Sequence, residues 1–513
     1  MNWKYYLALF SFCLLVCILL AGFQTAPGYM DAEYYYSMGL RIASGRGFTE
    51  PFVWNYLTPV DSIPHPGFAY WMPVPAFVSA AGMWITGMDS FAGAKLLHIL
   101  LAACLPVISM KIAWELTRKA SAAVLAGCLA VFPAFYSVFL GTTDSFGITM
   151  LLGGIFLLLA RTGDNPWKYL GLGGLAGLMH LTRADGLLWL IAGSYCSLFA
   201  RKNKIGLTLG VIAGYLVVMA PWFGRNFALY GDLMPPGTSR ALWLQTYNDL
   251  FNFNPGSLTF RNWISQGWTA ILGNYQAAAL ANLKNMLLVQ GQVILTPLMA
   301  IGAWKVRRDR AVQGVFLVWI SIFLLMSLVF PFAGIRGGYT HSAASFQPLL
   351  WALAGSGFSA VICWGVKRRD WTEKKASTVF GSALVLLIAI SSLFIFHSRV
   401  IGRDFQEPQW QRSFQRAINI SEGLNKWNAG PDDLILINNP PGYYAATGRS
   451  SIVIPNGGLE ELLAAGEAYQ AKYLVLESNH PRGLKELYAD PEKEPRLRFL
   501  GQVNDALIFQ IPE

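Results

Sequence analysis

Charge is what this sequence has least of. Asp, Glu, Lys and Arg make up 13% of its 513 residues, against 54% apolar residues. So little polar surface cannot cover a water-soluble particle of this size, which excludes a wholly soluble globular protein. Cysteine is scarce too. Cys13, Cys17, Cys104, Cys128, Cys196 and Cys363 all fall inside apolar segments, with no CxxC and no Cys/His cluster. That excludes a zinc ribbon or a dithiol redox centre and leaves buried thiols. Acids are outnumbered, 29 against 39 bases, for a net charge of +10. The bases lie in short tracts between apolar stretches, the pattern of cytoplasmic loops and not of a nucleic-acid face.

What is abundant is the long apolar run. Tyr5 to Phe23 is long enough to cross a bilayer and lacks an A-x-A cleavage pattern, so it reads as an uncleaved first helix. Further runs lie at 92–114, 120–138, 146–160, 168–181, 187–200, 206–223, 286–304, 313–333, 346–365 and 377–396. Together they predict a polytopic α-helical membrane protein of about eleven spans. The tracts Lys111–Lys119, Arg161 with Lys168, Arg201–Lys204, Lys305–Arg310 and Lys367–Lys375 fall in alternate connections. By the positive-inside rule these and the N-terminus are cytoplasmic, in a plasma membrane. The segments 24–91, 139–145, 182–186, 224–285, 334–345 and everything after 397 are then outside.

The first outer loop is expected to carry surface helices. Asp31 to Ser44 has helical spacing and is stopped by Gly45-Arg46-Gly47. Ala69 to Thr86 is apolar and follows the breaker His65-Pro66-Gly67. Two domains are expected: a transmembrane domain, 1–396, and an extracytoplasmic α/β domain, 397–513. In the latter, Asp433 to Asn438, Tyr473 to Glu477 and Ala506 to Ile511 read as strands and Gly458 to Gln470 as a helix. Asn438-Asn439-Pro440-Pro441-Gly442 reads as a turn without the spacing of a phosphate loop.

Just outside the first span stands Asp31-Ala-Glu33, followed by three tyrosines. Carboxylates at a membrane surface cost solvation and are kept where they have a task, such as taking a proton from an attacking hydroxyl. Equally, Asp31 could cap the helix that follows.

The Asp31-x-Glu33 pair with Tyr35 and Gly45-Arg46-Gly47 resembles the GT-C glycosyltransferases, in the bacterial branch related to protein O-mannosyltransferases and aminoarabinose transferases. The likeness continues through His65-Pro66-Gly67-Phe68-Ala69-Tyr70, Leu181-Thr182-Arg183-Ala184-Asp185-Gly186, and Ala220-Pro221-Trp222-Phe223-Gly224-Arg225-Asn226 with Tyr230-Gly231-Asp232 behind it. It spans roughly residues 1–365; Gly67 and Ala184 stand where the family usually has Pro. The resemblance implies a GT-C fold, Asp31 as catalytic base and Glu33 as the second member of the pair, orienting the acceptor. Asp144, in the next short outer loop, matches a place where the family often carries an acid; its alternative is a cap for the helix at Phe146.

Arg225, Arg336 and Lys95 are candidates for holding a donor phosphate, because a guanidinium or ammonium would offset the charge of the leaving group. Snorkelling toward water is the alternative for each. Arg183 and Asp185 are either a local ion pair or a substrate site. His341 is expected to bind sugar or phosphate. His65 is a candidate of the same kind, with a structural role beside Pro66 preferred. Two carboxylates without a third nearby ligand make a thin metal site, so no metal or other cofactor is assigned, and a divalent cation stays open.

The expected activity is inverting transfer of a hexosyl or pentosyl group from a polyprenyl-phosphate donor to a lipid, glycan or protein hydroxyl outside the membrane. The partners are that donor, its acceptor and membrane lipid, with no nucleic acid. A transporter or flippase of lipid-linked sugar is the alternative, but no half-repeat is visible and the charged residues sit at span ends. A ligase or polymerase taking a longer lipid-linked donor fits equally. The C-terminal domain is expected to influence acceptor choice and to be dispensable for attack by Asp31.

Overall fold

The computed structural model describes residues 1–512. Each expected span is occupied by helix. Six helices are long and apolar enough to cross a membrane: Trp3–Ala21, Phe91–Thr117, Lys204–Tyr230, Arg310–Val329, Gly338–Arg369 and Glu373–Ile401. Between them pack shorter ones, Ala120–Val131, Phe146–Ala160, Pro166–Thr182 and Trp189–Leu198. Small residues let these helices approach. A Cβ on Gly173 would meet the Val211 carbonyl oxygen at 1.9 Å, and one on Gly214 the Leu170 carbonyl oxygen at 2.0 Å. Only glycine allows Pro166–Thr182 and Lys204–Tyr230 to lie that close.

The expected span 286–304 is not one straight helix. Helix Trp268–Asn285 runs into a π-helical turn, Met286–Gln290, the chain turns at Gly291, and helix resumes at Thr296–Val306. Buried partners make the break tolerable. Gln347 Nε2 donates to the Gln290 carbonyl (3.1 Å), and Gln290 Nε2 donates to the Ala343 carbonyl (2.9 Å). Gln290 Oε1 accepts from Tyr339 Oη (3.0 Å) and Trp319 Nε1 (3.2 Å). The knot fixes residues 339–347 inside the bundle.

The basic tracts meet at one end of the bundle. Arg161 pairs with Asp309, Arg310 donates to the Phe199 carbonyl (2.8 Å), and Lys119 faces Glu373 at 3.6 Å. The helix Phe146–Ala160 leads from that end to Asp144 at the other.

At that opposite end the first loop forms the two expected helices, Met30–Ala43 and Val74–Thr86, packed on each other. The second starts at Val74, since Pro73 and Pro75 set its first turn. Between them Thr49–Glu50 pairs antiparallel with His65–Pro66. The C-terminal region is α/β, with two strands and three α-helices, Arg412–Lys426, Pro440–Thr447 and Lys485–Ala489, beyond those expected among the described residues. Its sheet runs Phe52–Val53, Ser451–Val453, Ile435–Ile437, Tyr473–Leu476, Ala506–Gln510, Arg498–Val503. The first strand comes from the outer loop: Phe52 pairs with Ser451 and Val53 with Ile452, parallel. The sheet therefore crosses the expected boundary at 397. Asn438–Gly442 is not a free turn but the entry to helix Pro440–Thr447, because Asn439 caps it and Pro440 opens it.

Candidate active site

Helix Met30–Ala43 places Asp31 in its first turn. The N-cap position is Tyr29, without a side-chain cap bond, so Asp31 is not the cap. Its carboxylate makes no hydrogen bond to another side chain and keeps 29% of its side-chain surface open. Opposite it, His341 approaches with Nε2 3.7 Å from Asp31 Oδ2 and Nδ1 4.0 Å from Asp144 Oδ1. His341 is held by stacking on Phe146, centroids 4.1 Å apart. Asp144 is buried, accepts from Tyr29 Oη, and accepts from the backbone N–H and Oγ of Ser145.

Three segments far apart in sequence thus deliver Asp31, Asp144 and His341, whose potential ligand atoms all lie within 4.8 Å of one another. His341 Nδ1 is buried without a hydrogen-bond partner. Two carboxylates and an imidazole are a donor set suited to a divalent transition metal. The sequence reading weighed a metal site on Asp31 and Glu33; the structure instead groups Asp31 with Asp144 and His341.

Burial pushes the Asp31 carboxyl up to about 7; the neighbouring Asp144 and Glu33 raise it further, while Arg183 opposes them. Arg183 donates through Nε to Asp185 Oδ1 at 3.1 Å, the local ion pair foreseen, and a guanidinium nitrogen lies 3.5 Å from Ser342 Oγ. Tyr70 and Tyr247 stand within electrostatic range of Asp31. Arg336 is exposed and lies over the Tyr247 ring, 4.2 Å from its centroid.

The other expected residues lie elsewhere. Glu33, two residues on, points away from the Asp31 cluster; it is 1% exposed and accepts from Asn439 Nδ2 at 2.7 Å. Burial pushes its carboxyl up to about 7, with the Asn439 bond opposing. Lys95 donates to the carbonyls of Ala21 (2.7 Å) and Gln24 (2.6 Å), stapling the end of the first span. Arg225 lies over Trp222 and donates to the Gly67 carbonyl at 2.7 Å, bracing the first loop. In both, the cationic groups are engaged with backbone. His65 is bonded to the Phe52 carbonyl through Nε2 (2.9 Å), in the structural role preferred for it.

Sequence reasoning passed over Tyr29, Tyr70, Tyr247 and Asn439. Tyr247 lies in a long outer loop without periodicity, so nothing local marks it. Asn439 did carry a signal, since Asn before Pro-Pro is a helix start. Glu50 was also unmarked. It is buried, accepts from Tyr34 Oη at 3.0 Å, and is pushed up to about 6 by burial while His65 opposes.

Residues 64–224 match the model of the family described as dolichyl-phosphate-mannose-protein mannosyltransferase. The matched stretch includes Asp144, Arg183 and Asp185 but not Asp31. No curated protein matches the chain. Among solved structures, ArnT from Cupriavidus metallidurans bound to undecaprenyl phosphate is similar at 13% identity and TM-score 0.58, over 99% of this chain and 98% of that one. The Archaeoglobus fulgidus oligosaccharyltransferase in its apo form is similar at 14% identity and TM-score 0.56, over 92% of this chain and 69% of that one. Its complex with zinc and sulfate is similar at 13% identity and TM-score 0.56, over 91% and 67%. At such identities the likeness is one of fold. The chain therefore shares the fold of ArnT and of the oligosaccharyltransferase, and the motif resemblance pointed to the same group of folds.

Proposed function

We propose that this protein transfers a glycosyl group from a polyprenyl-phosphate donor to an acceptor hydroxyl at the outer face of the membrane, with inversion at the anomeric carbon. The observation that carries the reading is the Asp31 carboxylate, largely buried yet partly open, without a side-chain hydrogen bond and ringed by Asp144, Arg183 and His341. Support comes from the family match over residues 64–224 and from the fold shared with ArnT, whose structure holds undecaprenyl phosphate.

Asp31 takes the proton of the acceptor hydroxyl as its oxygen bonds to the anomeric carbon. The bond from that carbon to the phosphate oxygen breaks, and polyprenyl phosphate leaves with the electron pair. A base titrating near neutrality is matched to this task. Arg336, the one member of the expected phosphate-binding trio not engaged with backbone, binds the donor phosphate, and Arg183 keeps Asp31 ionised.

The test is release of labelled sugar from a panel of polyprenyl-phosphate monosaccharides by reconstituted protein. Asp31→Asn, inserted normally, is expected to lose at least about a hundredfold in rate, the scale of a general base. Full turnover by Asp31→Asn would transfer the assignment to Asp144.

A further inference from the structure

Asp31 is held by its helix, not by bonds of its own. Its reach to a substrate therefore depends on where the first turn of Met30–Ala43 lies. That turn is gripped from the C-terminal region on two sides. On one side, Asn439 uses both ends of its amide. Its Oδ1 accepts from the Gly442 N–H (3.3 Å), capping helix Pro440–Thr447, and its Nδ2 donates to Glu33 Oε2 (2.7 Å). Among the described residues Asn439 is the only side chain hydrogen-bonded to the Glu33 carboxylate. The fit leaves no spare room. A Cβ on Gly442 would lie 2.7 Å from Glu33 Oε2 and 2.4 Å from Asn439 Nδ2.

On the other side Trp410 donates to the Ala26 carbonyl (3.0 Å) and packs edge-on to Tyr29, centroids 5.7 Å apart. Tyr29 in turn bonds Asp144. A Cβ on Gly28 would meet the Trp410 ring at 2.0 Å, so the segment lies directly on the indole. Asp31 stands between these two grips, two residues from each.

We infer that the C-terminal domain is a working part of the active site, and that Asn439 is a positioning residue that sets Asp31 through its bond to Glu33. This reverses the expectation that the domain is dispensable for attack. It also gives Glu33 a part distinct from proton transfer, as the strut that receives Asn439. The kinetic side of the inference rests on the reading of Asp31 as the base, whereas the clamp itself does not.

Two measurements on the full chain in lipid nanodiscs separate these. Hydrogen exchange of residues 30–43 reports the clamp without any substrate. Asn439→Asp keeps an oxygen for the helix cap but removes the donor, so exchange in 30–43 is expected to rise at least about fivefold while the spans stay protected. Gly442→Ala should do the same by steric displacement. With a turned-over donor, Asn439→Asp should lower kcat about tenfold or more and leave the donor KM within about twofold, as for a displaced catalytic group. Glu33→Gln, which still offers Asn439 an acceptor, should rescue both protection and kcat relative to Glu33→Ala.

Unchanged exchange in 30–43 for Asn439→Asp would overturn the clamp. So would exchange rising alike throughout the protein, or Glu33→Gln proving as damaging as Glu33→Ala. If the wild type cleaves no donor, the glycosyltransferase reading fails while exchange still decides the clamp.

Discussion

At the scale of single residues, the chemistry turns on what surrounds one carboxylate. Asp31 is raised to about 7 by burial first and by Asp144 second, with Arg183 pulling the other way. A general base works only when ionised, so kcat should fall as pH drops through about 7, roughly tenfold per unit on the acid limb. Removing the neighbouring negative charge in Asp144→Asn should move that limb to lower pH, whereas Arg183→Gln should move it to higher pH. A pH–rate profile of each variant checks the two signs together. Arg336 sits at the edge of the same site, stacked on Tyr247 and exposed. Arg336→Ala is expected to raise the donor KM about tenfold or more with a smaller change in kcat, the loss of one charge-assisted phosphate contact. Steady-state kinetics with varied donor distinguishes this from Arg225→Ala, which should act by loosening the first loop at Gly67.

At the scale of elements, the broken helix around Gln290 shows how the segment carrying His341 is fixed inside an apolar bundle. One side-chain amide holds Tyr339, Trp319 and the Ala343 carbonyl, and so anchors the short helix that carries His341. Gln290→Leu leaves those partners unsatisfied in a region without water, at about 1–3 kcal/mol for each buried group stranded. The expected outcome is a lower thermal unfolding midpoint and weaker hydrogen-exchange protection of residues 338–346. The hydropathy of 286–304 reads as one span because the run is mostly apolar and carries no charge; the break depends on Gln347 and Ala343, some fifty residues later.

At the scale of the whole molecule, the basic tracts gather at one end and the Asp31 cluster at the other, the arrangement that the proposed use of an externally presented donor needs. If the tracts are cytoplasmic, a cysteine at Glu492 should react with a membrane-impermeant maleimide in intact cells. One at Lys202 should react only after permeabilisation. The reverse pattern would place Asp31 in the cytoplasm and remove the need for a lipid-carried donor. The two expected domains are also less separate than composition suggests. Phe52–Val53 completes the C-terminal sheet, Tyr56 Oη donates to the Val453 carbonyl, and Tyr469 Oη donates to that of Val60 at 3.2 Å.

Apolar runs and the stops at Gly45 and Pro66 were enough to locate apolar helices and the surface helices, because each is a local property of a dozen or so neighbouring residues. Asp31 and Asp144 could be singled out for the same reason: acids are rare here and each stands at a span end. Partnership between distant segments was not legible. A two-residue strand such as Phe52–Val53 carries no periodicity, and the destination of Glu33 depends on a helix that begins four hundred residues later. Sequence reading put Arg225 ahead of Arg336 and Lys95 for a phosphate, all three being basic residues near span ends; only packing separated two backbone braces, Arg225 and Lys95, from one exposed guanidinium, Arg336. Sequence by itself therefore determined that this is a membrane protein with a few acids set at span ends and its basic tracts in alternate connections. The tertiary structure decided which of them meet, because burial, hydrogen bonding and charge proximity are set by which segments touch.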